Sequence, residues 1–372
     1  MGGLNLGNQL SCIGCGAKIQ TTDKNGIGYA PESSLNKEVV VCQRCFRLKH
    51  YNEVQDVSLT ESDFLKIIND VSKKNALIVK LVDIFDFDGS WLQGIGRFAG
   101  NNRVLLIGNK MDLLPKVVNP NKLIHWMKFR AKELGLKPID VLLISGNKGL
   151  GLDHAIEKIE EYRNGKNVYV IGCTNVGKST FINSIIKRIT GESDIITTSH
   201  YPGTTLDVIE IPLDDDKSMY DTPGIINNHQ MAHFVDKEDL KTITPKKEIK
   251  VRTFQLNEGQ TLYFGGLARL DFIKGERNSF GCYIANELDI HRTKLENADA
   301  LYEKHVGELL SPPRKDQLGD FPKMISREIS VKEGKTDIVF SGLGWVTVNS
   351  PGAVVVAHVP KGVNVTARKS LI

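Results

Sequence analysis

Three short segments occur in an order that constrains the fold of this chain more than any other feature. Asn109-Lys110-Met111-Asp112 comes first, Gly172-Cys173-Thr174-Asn175-Val176-Gly177-Lys178-Ser179 second, and Asp221-Thr222-Pro223-Gly224 third. The second has the spacing G-x-x-x-x-G-K-S, which needs a strand before it and a helix after it. Its glycines let backbone N–H groups converge on an anion at the helix N-terminus. Val168 to Ile171 is strand-like and Lys178 to Arg188 is helix-like. Leu77–Val82, Val104–Ile107 and Val141–Ile144 also read as strands, and Ile124–Leu134 and Asp153–Tyr162 as helices. Such alternation predicts an α/β fold, a parallel sheet covered on both faces. Each motif then falls at the carboxyl end of a strand, where open α/β sheets bind ligands.

The residue types define the chemistry. Gly172, Thr174, Asn175, Val176, Gly177 and Thr180 form the phosphate cradle and the helix start, Lys178 reaches the β- and γ-phosphates, and Ser179 holds Mg²⁺. Asp221 holds the same ion through water, and the Gly224 N–H meets the γ-phosphate. Pro202-Gly203-Thr204-Thr205-Leu206-Asp207 is placed to be the first switch, with Thr205 favoured over Thr204 to complete the Mg²⁺ shell. Asp112 can accept from guanine N1–H and N2–H₂, donors that adenine does not offer there, so the base is guanine and the ligands are GTP and GDP. Asn109 buttresses the loop and the Lys110 stem lies over the base. Ser145-Gly146-Asn147-Lys148-Gly149 offers backbone N–H groups to guanine O6. Lys178, Asn175, Thr205 and Gly224 are the expected catalytic set. Ile225 stands where many small GTPases carry the glutamine that orients the attacking water, and Asn175 can hold a K⁺ ion against the phosphates.

In an ordinary small GTPase the phosphate loop opens the domain and N-K-x-D lies near its end; here the order is rotated. The order N-K-x-D, S-x-x-x-G, P-loop, P-G-T-T, D-T-P-G resembles the circularly permuted GTPases. Two C-x-x-C pairs before it and a β-rich region after it resemble the YqeH branch of that group. Further stretches carry the likeness: Cys42-Gln43-Arg44-Cys45-Phe46-Arg47-Leu48-Lys49, Val82-Asp83-Ile84-Phe85-Asp86-Phe87 and Ser341-Gly342-Leu343-Gly344-Trp345-Val346. The resemblance implies a GTP-hydrolysing switch in assembly of the small (30S) ribosomal subunit. It also implies a hydrophobic residue in place of the catalytic glutamine and a K⁺-linked asparagine in the P-loop. The family's O6-binding element usually begins Ser-Ala, whereas this chain has Ser145-Gly146.

Cys12, Cys15, Cys42 and Cys45 form two C-x-x-C pairs with 26 residues between Cys15 and Cys42. Four thiolates suit tetrahedral Zn²⁺, and a segment this small needs metal to fold. The second pair leads into a helix-like stretch, as in a treble-clef finger. Redox chemistry is the competing reading, without a thioredoxin-like strand–helix context to support it. His50 is a spare ligand, Cys173 a small residue tolerated in the loop, and Cys282 a core residue. Arg44, Arg47, Lys49 and His50 either meet RNA phosphates or form a solvated face.

The expected architecture is α/β: a zinc finger over 1–55, a circularly permuted P-loop GTPase domain over 56–228, and a β-rich (α+β) RNA- or protein-binding domain over 229–372. Met231 to Lys250 is charged and reads as a linker or mobile helix, and Ala298 to Leu310 as a helix. Thr261–Phe264, Asp337–Phe340, Trp345–Val348 and Val354–Ala357 read as strands. Tyr263, Phe264, Phe272 and Trp345 either stack on bases or form the core. A net charge of +4 permits local contact with nucleic acid without arguing for it. Neither a secretory signal nor a membrane span is read from the chain, so the expected setting is the cytoplasm. The expected state is a monomer, with rRNA or ribosomal proteins of the 30S precursor as partners. The alternative is a GTP-gated binding module with negligible turnover and a peptide or protein partner.

Overall fold

The computed structural model describes residues 18–24, 28–35, 40, 42–43, 69–190, 209–213, 216–222, 224–225 and 227–372. Cys12, Cys15, Cys45, Arg44 to His50, the segment Pro202 to Asp207 with Thr205, and Pro223 lie outside these residues. The chain folds as two compact units. The first takes in 1–83, 90–110 and 127–226, and the second takes in 84–89, 111–126 and 227–372.

The first unit is built on six strands: β1 (Ala76–Asp83), β2 (Arg103–Asn109), β3 (Asp140–Leu143), β4 (Asn167–Ile171), β5 (Ile209–Pro212) and β6 (Ser218–Asp221). Their order across the sheet is β3-β2-β1-β4-β6-β5. β3, β2, β1, β4 and β6 run parallel, and β5 pairs antiparallel with β6 at the edge. The parallel strands are nearly continuous apolar runs because both faces are covered. In β1, Leu77, Ile78, Val79, Leu81 and Val82 are all buried, each stabilising the fold by about 1.5–3 kcal/mol. Helices Leu152–Arg163 and Lys178–Thr190 place Ala155, Ile159, Phe181, Ile182 and Ile185 in the interior.

The chain runs outward through β1, β2 and β3, then returns to place β4 against β1. The strand order therefore reverses between β1 and β4, the position where open sheets hold their ligands. Starting the chain at β4 instead would restore the sequence P-loop, D-x-x-G, N-K-x-D without altering the sheet. The domain is thus a permuted form of one P-loop architecture.

The second unit contains two five-stranded antiparallel sheets. Its strands are β7 (Arg252–Leu256), β8 (Gln260–Phe264), β9 (Ala268–Lys274), β10 (Asn278–Ile284), β11 (Ile290–Lys294), β12 (Met324–Ser330), β13 (Thr336–Phe340), β14 (Gly344–Val348), β15 (Val354–Pro360) and β16 (Val365–Lys369). One sheet has the order β16-β13-β14-β10-β7 and the other β11-β8-β9-β15-β12. Their inner faces meet in a shared core where Phe264 lies 5.5 Å from Phe340 and Phe272 lies 5.2 Å from Phe280, centroid to centroid.

Several expectations for this unit need correction. Met231 to Lys250 is not a linker: it forms a 3-10 turn at Met231–His233 and a helix at Lys237–Ile243, capped by Asp236. Met231 and Ile243 belong to the same core, and most of the segment's charges face outward, with Asp239 alone among them buried, 3.7 Å from Arg314. The helix expected over Ala298–Leu310 ends at His305. Of the two readings of Tyr263, Phe264, Phe272 and Trp345, the core one holds: all four are fully buried, which leaves no ring face for a base. Trp345 stacks on Tyr283 at 4.8 Å, and Arg368 lies over it. Arg368 is itself buried, ion-paired with Asp88 and 3.4 Å from Asp337. Cys282 is a core residue as expected, and burial pushes its thiol up to about 12.

Candidate guanine-nucleotide site

The motif residues fall at strand ends. Asn109 is the last residue of β2, Ser145 follows β3, Gly172 follows β4, and Asp221 is the last residue of β6. Because these strands are parallel, the four loops emerge on one edge of the sheet.

Asn109 joins three of them. It is 2 % exposed, and its amide uses both ends. Nδ2 donates to the Val176 carbonyl of the P-loop at 2.8 Å. Oδ1 accepts from Lys110 N at 2.8 Å and from Gly146 N at 2.9 Å. This set of partners also assigns the amide orientation, since a flipped group would face donor to donor. The Gly146 N–H expected at guanine O6 is therefore engaged by Asn109 here, and the Lys148 N–H by Ser145 Oγ at 3.0 Å. A Cβ on Gly146 would meet Phe181 N and Thr180 Cγ2 at 3.5 Å, ordinary contact, so the site tolerates the alanine usual in the family.

The P-loop has the backbone its sequence demands. Gly177 sits at φ +84°, and a Cβ there would lie 2.4 Å from Asn109 Nδ2, so only glycine permits the tie just described. Asn175 is also left-handed, at φ +63°, and exposed at the loop's tip. Lys178 and Ser179 open the following helix. Thr174 is buried, Ser179 and Thr180 half-buried. Lys178 is 7 % exposed and ion-paired with Asp221. The loop also pairs with the segment after Asp221: Thr174 N donates to Ile225 O at 2.8 Å, and Ile225 N to Gly172 O at 3.2 Å. Gly224 approaches so closely that a Cβ there would lie 3.2 Å from Thr174 Cγ2. Asp112 lies in the 3-10 turn Met111–Leu113 that follows Lys110 directly in sequence.

Three residues beside these loops belong to none of the nucleotide-binding motifs. Lys80 of β1 is fully buried, and its Nζ donates to Leu81 O at 3.3 Å and Ser90 O at 3.2 Å. Ser90 O also accepts from Cys173 Sγ of the P-loop at 3.2 Å. Asp83, at the end of β1, accepts from Lys110 Nζ at 2.6 Å. A charge inside the apolar run Leu77–Val82 is the sequence signal for Lys80; Asp83 lies in the stretch Val82–Phe87 that carries the family likeness, and nothing comparable marks Ser90.

Burial lowers the Lys80 pKa to about 8, with Cys173 acting in the opposite direction. The unfolded chain, with its ordinary lysine near 10.5, then holds one more proton between pH 8 and 10.5, so stability rises with pH in that window. The full rise is on the order of 3 kcal/mol. Lys80→Met should therefore show a flatter stability profile than the parent between pH 7.5 and 9.5 in urea unfolding. Parallel profiles for the two proteins would contradict the burial of a charge here.

Residues 167–259 match the family described as 50S ribosome-binding GTPase, and residues 277–371 match the family described as YqeH-like, C-terminal. The Bacillus subtilis (strain 168) protein called "Uncharacterized protein YqeH" is 65% identical over 97% of this chain and 99% of its own length. A rice protein called "Putative nitric oxide synthase" is 31% identical over 92% of this chain and 70% of its own. The Arabidopsis thaliana "NO-associated protein 1, chloroplastic/mitochondrial" is 30% identical over 91% and 69%. No described helix is long and apolar enough to cross a membrane. With its P-loop and D-x-x-G segments at the strand ends of a permuted sheet, and with this identity along nearly its whole length, the chain is a GTPase and belongs to the YqeH family.

Proposed function

We propose that this GTPase is a nucleotide-dependent switch in assembly of the 30S ribosomal subunit. The observation that supports the site most strongly is the Asn109 amide, which ties the N-K-x-D, P-loop and Ser145-Gly146 loops together. On this reading Asp112 reads guanine, Lys110 covers the base, and Gly172 to Thr180 cradle the phosphates. Lys178 leaves Asp221 for the β- and γ-phosphates when nucleotide binds. Ser179, Asp221 and Thr205 supply the oxygen ligands that suit Mg²⁺, which neutralises phosphate charge. The exposed Asn175 carbonyl suits K⁺ beside the phosphates.

Turnover is expected to be slow until a partner binds. Ile225 has no group that can orient water, and its backbone is held against Gly172 and Thr174. The γ-phosphate would order the segment around Gly224, and hydrolysis would release it. Cys12, Cys15, Cys42 and Cys45 are proposed as a Zn²⁺ site; Cys42, the described member, is buried. Together with the second unit this finger would contact rRNA or ribosomal protein.

The test is co-sedimentation with purified 30S and 50S subunits, in a non-hydrolysable GTP analogue and in GDP, with phosphate release measured in K⁺ and in Na⁺. The expected result is analogue-dependent binding to 30S, hydrolysis stimulated at least about tenfold by it, and faster turnover in K⁺. Binding to 50S instead, a role suggested by the name of the family matched over 167–259, would reject the 30S assignment. Nucleotide-gated capture of a peptide with no stimulation by either subunit would favour a binding module.

A further inference from the structure

Asp83 belongs to none of the nucleotide-binding motifs, yet it is built into their framework. It ends β1 and pairs in register with Asn109 at the end of β2. Its Oδ2 accepts from Lys110 Nζ at 2.6 Å, with side chains 13% and 25% exposed. Its N–H donates to Ser90 Oγ at 3.0 Å, and the Ser90 carbonyl accepts from both Lys80 Nζ and Cys173 Sγ. The carboxylate is thus anchored to the same framework as the P-loop. At the other end of the pair, Lys110 adopts φ +66°, a left-handed conformation that a lysine rarely takes and that its surroundings must enforce.

We propose that Asp83 is a positioning residue for guanine recognition: it holds the Lys110 side chain extended across the base position before nucleotide arrives. This rests on the reading of Lys110 as the lid over the base. A lysine stem carries large rotamer freedom, and a stem ordered only on binding weakens affinity by the entropy it loses. Pairing with Asp83 removes that loss in advance and supports the strained Lys110 backbone. The effect falls on nucleotide affinity and leaves the chemical step alone, because the pair touches neither the phosphates nor the attacking water.

The experiment is a double-mutant cycle in the full chain, with Asp83→Asn, Lys110→Met and the two combined, read by the Kd of mant-GDP and by the KM and kcat of GTP hydrolysis. Asp83→Asn should raise the Kd about five- to tenfold, near 1.0–1.4 kcal/mol, and raise KM while kcat stays within about twofold. The combined variant should bind no more weakly than Lys110→Met alone. Asp83→Glu should recover most of the affinity, which a purely structural residue would not allow. Asp83→Ser replaces Asp83→Asn if the latter does not fold, judged by nucleotide-free thermal melting. Effects that multiply in the combined variant, or a Kd unmoved by Asp83→Asn, overturn the proposal. Asp112→Asn is measured alongside: if it switches base preference while Asp83→Asn does nothing, only the positioning role fails. If it leaves guanine preference intact, the reading of the whole base loop fails, and the proposal with it.

Discussion

Asp112→Asn should convert a guanine-specific protein into one that prefers xanthine nucleotides. On the proposed reading the carboxylate would accept two hydrogen bonds, from N1–H and N2–H₂, and each bond to a charged group contributes about 1.5–3 kcal/mol. The amide can accept from N1–H but presents its Nδ2 donors to the guanine amino group, donor against donor. Xanthine carries a carbonyl at that position and accepts from them. GTP affinity should fall about 10³-fold, on the order of 4 kcal/mol, while XTP affinity rises. Competition of XTP and GTP for the variant, followed with a fluorescent guanine nucleotide, measures both changes. Unaltered preference for GTP would show that Asp112 does not read the base.

The second large effect is expected for Lys178→Ala. Lys178 is nearly buried at the start of its helix and pairs with Asp221. With nucleotide bound, its ammonium would face two phosphates, interactions that no backbone N–H of the loop replaces in charge. Removing it should weaken GTP binding at least about 100-fold, near 2.7 kcal/mol, and abolish turnover. Asp221 would also lose its counter-ion, so thermal melting of the nucleotide-free protein is needed to separate misfolding from lost binding. A folded variant that binds GTP within a few-fold of the parent would sink the assignment of 172–179 as the phosphate cradle.

The parallel sheet is legible in the sequence because its strands are buried on both faces. Val104–Ile107, Val141–Ile144 and Val168–Ile171 are apolar runs and Leu77–Val82 is one interrupted only by Lys80, and each lies inside or overlaps an observed strand. β5 and β6 carry no such signal: Ser218-Met219-Tyr220-Asp221 is short and mixed, and β5 lies at the edge of the sheet. In the second unit, Thr261–Phe264, Asp337–Phe340, Trp345–Val348 and Val354–Ala357 read as strands and are strands. The edge strands β7, β11 and β12 do not announce themselves, because an edge exposes residues that an interior strand would bury. β12, Met324–Ser330, buries only Ile329. Met231 to Lys250 misleads for a related reason. Its buried residues Met231 and Ile243 are separated by charges, and local pattern cannot reveal that they join a core built by distant strands.

The site divides in the same way. Motifs that act through contiguous residues, such as 172–179 and 109–112, can be read directly. Asn109 is recognisable as a tie from its motif, but its partners are not, since Val176 and Gly146 are distant in sequence and meet it only through the sheet order. Asp83 and Ser90 do not stand out as site residues because each meets the motif loops through a neighbour on another strand or loop, whereas Lys80 is marked by its charge inside an apolar run. The aromatic residues show the converse limit. Phe264 and Phe272 point into the core between the sheets, while Tyr263 packs with Ala298 and Leu310, so these rings are committed to packing and not to a ligand.

Competition binding with the unmodified protein decides the identity of the ligand. GDP labelled with a fluorophore is bound in Mg²⁺ and K⁺, then displaced with unlabelled GTP or ATP. On the proposed reading of Asp112, GTP should displace it at near-stoichiometric concentrations and ATP should need at least about 10³-fold more. Equal displacement by ATP and GTP would contradict a guanine-reading site in this permuted sheet.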